Sequence, residues 1–166
     1  MQSLDWDPDN ADLIAYCDAS LDGLGYWFPG LSAGFWSVIP EDHPKDTIFY
    51  FEALSVLSAI LHSTSFGFPI TRLTVYTDNL NTVQIFNSFS ALPVYNEILK
   101  VAVDHLLSDV DNPIQLRVIH VPGDSNTVAD ALSRGELHTV VDAVPGIVVD
   151  VFSPPQIRRE LGAGGL

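Results

Sequence analysis

Four carboxylates stand at or near the ends of apolar stretches. Asp18 closes DLIAYCD (residues 12 to 18), Glu52 falls early in IFYFEALSVLSAILHS (48 to 63), Asp78 closes RLTVYTD (72 to 78), and Asp130 lies in the helical pattern NTVADALSR (126 to 134). Each has an ordinary explanation by itself. Asp18 and Asp78 can start a turn or cap a helix, Glu52 suits a helix N-terminus, and Asp130 can face water. On a helical wheel Val128, Ala129 and Leu132 share one side, while Asp130 falls on the other with Thr127, Ser133 and Arg134. Carboxylates gathered at one place repel one another unless they are protonated or bridged by cations. A convergent set therefore argues for a divalent metal, and oxygen-only ligands suit magnesium or manganese.

Convergence depends on the elements that carry these residues. The apolar run 12–18 reads as a strand. GYWF (25 to 28) and GFWSVI (34 to 39) are aromatic and β-branched, follow an Asp22-Gly23 turn signal and are separated by PGLSA, so they read as antiparallel strands. Residues 48–63 form a helix apolar on nearly every side, which predicts burial. Residues 72–78 and 115–121 read as further strands, 80–89 and 94–110 as helices, and the last helix begins around Asp130. The order βββαβααβα predicts an α/β domain with a mixed five-stranded sheet, its first three strands antiparallel, and helices packed on it. Strands one and four as neighbours would set Asp18 beside Asp78, and helices on that sheet can bring Glu52 and Asp130 to the same spot. Residues 1–11 read as a tail, 12–134 as the domain and 135–166 as a C-terminal extension or linker. Within that extension, TVVDAVPGIVVDVF (139 to 152) predicts two short extended pieces broken at Pro145-Gly146 rather than another helix.

With 166 residues, 47% of them hydrophobic, the chain has enough apolar surface for one sizeable core. A single cysteine, Cys17, excludes a disulfide framework and a cysteine-based zinc site, and a reducing compartment is expected. No uncharged apolar run approaches a membrane span in length, so no membrane association and an intracellular location, cytoplasmic or nuclear, are expected. The formal net charge of -14, from 21 acids against 7 basic residues, has the wrong sign for gripping phosphate backbones unaided.

The succession AYCDAS, YFEALSVLSAI, VYTDN and HVPGDSNTVADALSR, spanning about residues 12 to 134, resembles the ribonuclease H domain of retroelement reverse transcriptases, particularly gypsy-like and DIRS-like ones. The resemblance implies an RNase H-like fold and an endonuclease that hydrolyses the RNA strand of RNA/DNA hybrids during reverse transcription. It implies two Mg2+ or Mn2+ ions held by Asp18, Glu52, Asp78 and Asp130, with Asp18 bridging. Asn126 matches the family's asparagine at the start of the last helix, and Arg134 is the best placed phosphate contact; both are expected at the substrate. An adjoining polymerase domain is the implied partner. The chain departs from the family in two places. Many relatives carry a histidine in the loop before the last helix, which here shortens to Gly123-Asp124-Ser125 with His120 earlier on the strand. No basic helical insertion lies between Asn79 and Val94. The acidity and this missing grip favour a different reading, a non-catalytic RNase H-like scaffold within the polyprotein; the presence of all four acids opposes it.

Overall fold

A computed structural model describes residues 6–40, 48–88 and 95–157. Its elements run β1 (Leu13–Ala19), β2 (Gly23–Phe28), β3 (Ala33–Val38), α1 (Ile48–His62), β4 (Arg72–Thr77), α2 (Leu80–Ser88), α3 (Asn96–Leu106), β5 (Gln115–His120), α4 (Thr127–Ser133), α5 (Leu137–Ala143) and β6 (Val148–Val151). The sheet order is β5-β4-β1-β2-β3-β6. β1, β2 and β3 form the antiparallel meander, while β4 joins β1, β5 joins β4 and β6 joins β3 in parallel. The mixed sheet with an antiparallel beginning is as expected, and β1 and β4 are neighbours.

Strand alternation divides the sheet into two faces. Leu13, Ala15, Cys17, Leu24, Tyr26 and Phe28 point into the larger core with α1 and α3. Residues 50 to 60 of α1 are all buried, as its uniform apolarity requires. Its two inward serines are satisfied by backbone: Ser55 donates to the Gly25 carbonyl at 3.1 Å and Ser58 to that of Leu54 at 2.8 Å. On the opposite face α4 approaches β2 so closely that a Cβ on Gly25 would fall 2.6 Å from Leu132 Cβ and from the Ser133 nitrogen. Glycine is what lets this helix sit down on the sheet. Trp27, Trp36, Leu132 and Val140 pack together there in a second, smaller core. Tyr26 is buried in the larger one, so Tyr26, Trp27 and Trp36 all serve as packing residues.

The chain after Arg134 corrects two expectations. A sixth strand, β6, extends the sheet beyond β3, and residues 137–143 form α5 where an extended piece was expected. Leu137 and Val140 are one helical turn apart and both reach the second core, so tertiary burial outweighs the extended preference of the β-branched valines. Only the half after Pro145-Gly146 is extended. α3 is also shorter than the apolar pattern, ending at Leu106, with residues 107–112 turning back towards β5. Phe89 and Val94, at the edges of two expected helices, lie outside the described residues, as do Lys45, Arg158 and Arg159.

Candidate active site

Three of the four acids come together where β1 and β4 end. One carboxylate oxygen from each of Asp18, Glu52 and Asp78 lies within 4.8 Å of the others. Asp18 is on β1, Asp78 follows the last residue of β4, and Glu52 reaches over from α1. Asp130 on α4 is outside this tight group, yet near enough for its charge to act on both Asp18 and Asp78.

The turn and cap roles open to Asp18 and Asp78 are filled by other residues. The turn after β1 is built by Ser20, whose Oγ accepts from the amides of Asp22 and Gly23. The start of α2 is capped by Asn79, whose Oδ1 accepts from the Thr82 amide at 2.8 Å, so Asp78 is free of that duty. Glu52 Oε1 accepts from the Ala19 amide on β1 at 3.3 Å, while its Oε2 is buried with no hydrogen-bond partner. Asp18 is 4% exposed, and its Oδ2 accepts from Ser133 Oγ at 3.0 Å. Asp130, by contrast, makes a half-exposed pair with Arg134 at 3.0 Å.

Burial above all, then the charge of Asp78, pushes Asp18 up to about 7, against the opposing hydrogen bond from Ser133. Burial and then Asp18 and Asp78 push Glu52 up to about 9. Asp78 is raised by burial and by Asp130, with its own backbone and His120 pulling the other way. These carboxylates are crowded and short of positive partners. An all-oxygen donor set with an unpartnered buried Glu52 oxygen fits a hard divalent cation of the magnesium or manganese kind.

Asn126 stands at the start of α4. It is 2% exposed, and its Nδ2 donates to the Cys17 carbonyl at 2.9 Å, tying the start of α4 to β1 immediately before Asp18. Arg134 is half-exposed and holds Asp130. Three contributors were not singled out from the sequence: Ser133, Ser20 and Asn79. For Ser133 a signal existed, since the helical wheel puts it on the side of Asp130.

No family model and no curated protein matches this chain. Among solved structures it is similar to LC11-RNase H1 in complex with an RNA/DNA hybrid, with a TM-score of 0.59 and 18% identity over 73% of this chain and 93% of that one. RNase H1 from the halophilic archaeon Halobacterium salinarum NRC-1 gives 0.57 and 17%, over 76% and 98%. The N-terminal RNase H domain of a Mycobacterium tuberculosis protein gives 0.55 and 15%, over 81% and 99%. The fold is that of the RNase H domains.

Proposed function

We propose that this chain is a ribonuclease H that cleaves the RNA strand of RNA/DNA hybrids, as part of a retroelement reverse transcriptase. The observation that carries this reading is the convergence of Asp18, Glu52 and Asp78 with one buried oxygen left unpartnered. Asp18, Glu52, Asp78 and Asp130 would together hold the divalent ions. When bound, such ions supply an activated water and stabilise the leaving oxygen of the phosphodiester. The protein's own work is orientation. Ser133 fixes Asp18, Asn126 fixes the strand that carries it, and the Ala19 amide fixes Glu52. Arg134 stands beside Asp130, where a scissile phosphate would meet it. The similar LC11 enzyme is described with an RNA/DNA hybrid, which supports the choice of substrate.

The net charge of -14 favours assigning the main grip on the duplex to an adjoining polymerase domain. Magnesium titration with labelled RNA/DNA, RNA/RNA and DNA/DNA duplexes tests the reading, with cleavage expected only in the RNA strand of the hybrid. Magnesium binding without cleavage of any duplex, even with the polymerase segment joined, would favour the scaffold instead.

A further inference from the structure

Among the described residues, the face of the sheet that carries Asp18 is covered by α4 and α5 over β2, β3 and the adjoining part of β1. Over β4 and β5 the cover is the segment Trp6 to Asn10. By strand alternation Tyr16 shares this face with Asp18, and Arg72, Thr74 and Tyr76 share it with Asp78; Arg117 joins them from β5, in register with Thr74. Tyr16 and Tyr76 are partly exposed and stacked, with centroids 4.8 Å apart, each two residues before one of the acids. This aromatic and basic surface therefore runs continuously from the candidate active site.

The covering segment reveals what chemistry the surface takes. The Trp6 indole is in cation–π contact with two guanidinium groups, those of Arg72 and Arg117, each 5.5 Å from the ring centroid, and the Arg117 guanidinium also donates to the Trp6 backbone carbonyl. Asp9 Oδ1 accepts from the Tyr76 hydroxyl at 2.8 Å, and the Pro8 carbonyl accepts from Thr74 Oγ1 at 2.8 Å. A flat ring held by arginines and an anion held by a hydroxyl are the recognition elements of a nucleotide's base and phosphate. The docking is also imperfect, because Trp6 Nε1 is buried without an acceptor, which favours displacement.

We propose that Tyr16, Arg72, Tyr76 and Arg117 form a platform for single-stranded nucleic acid, and that Trp6 to Asn10 occupies it in place of a strand. The platform takes up two of the seven basic residues of the chain, and its occupant brings the acids Asp7 and Asp9. Displacing that occupant would uncover positive charge and remove negative charge at once. This inference concerns binding and does not depend on hydrolysis.

The test is fluorescence anisotropy of labelled oligouridylate and oligothymidylate with the whole chain and with Trp6→Ala. Removing the indole from the two arginines should tighten binding of one or both by about tenfold, the contribution of a single stacked base. Adding Arg72→Gln and Arg117→Gln should abolish that gain. A Trp6→Ala protein that melts cooperatively but binds neither oligonucleotide more tightly overturns the proposal. So does a gain that survives loss of both arginines, or self-association of Trp6→Ala without oligonucleotide binding, which would make the face a protein surface. Should Trp6→Ala fail to fold, hydrogen exchange of the unaltered chain decides: saturating oligonucleotide should speed exchange at residues 6–10, and unchanged exchange there overturns the proposal.

Discussion

Replacing Asp78 by asparagine takes one negative charge out of a crowded pocket without touching a cap, since Asn79 is the residue that starts α2. Asp78→Asn should therefore abolish magnesium-dependent cleavage while leaving the melting temperature of the metal-free protein unchanged or slightly raised. A clearly lower melting temperature with cleavage retained would return Asp78 to a structural role. The same crowding fixes a pH dependence. Asp18 and Glu52 are raised from 3.8 and 4.5 to about 7 and about 9, so the folded state holds protons that the unfolded chain has already lost. Their contribution to stability is fully present below the lower values and disappears as pH rises through the higher ones. In chelator the melting temperature should fall from about pH 5 to pH 9, and Glu52→Gln should flatten the fall. A profile that rises over that window contradicts the shifts. The acids were legible in the sequence because each interrupts or ends an apolar run. Ser20 and Asn79 were not, because a serine or asparagine near a turn is common and only the fold says which one builds the turn or the cap; for Ser133 the helical wheel gave its side of the helix but not its contact with Asp18.

The helix that carries Asp130 and Ser133 rests on glycine. Gly25→Ala would place a methyl group 2.6 Å from the α4 backbone and from Leu132, a clash that α4 can relieve only by lifting away from β2. A loss of about 1–3 kcal/mol is expected from overpacking of this kind, together with a marked fall in cleavage as Ser133 withdraws from Asp18. Thermal melts and hybrid cleavage of this variant check both; an unchanged melt would mean that the helix is less tightly seated than this geometry requires. Most of the regular elements could be read from periodicity: α1 from its all-round apolarity, the early hairpins from aromatic runs and turns. α5 could not. Its valines favour strand locally, and their helical arrangement is imposed by packing on Leu132 of α4 and on Trp27 and Trp36, which lie far away in sequence.

At the scale of the molecule, α5 packs into the second core and β6 extends the sheet. Val140 is fully buried, and β6 pairs with β3 from Ala33 to Trp36. Truncation after Arg134 should remove about 1.5–3 kcal/mol for Val140 alone, expose Trp27 and Trp36 and promote aggregation. A shortened chain that melts at the same temperature and stays monomeric would make the segment a linker. The β3–β6 pairing also governs the order of events during synthesis. β1, β2 and β3 can zip up as soon as they emerge, but the outer edge of β3 must wait for residues 148–151, the last strand among the described residues. Throughout that interval the nascent protein presents an open row of amides and carbonyls that another chain can pair with, so crowded translation is when this fold is most vulnerable to misassembly.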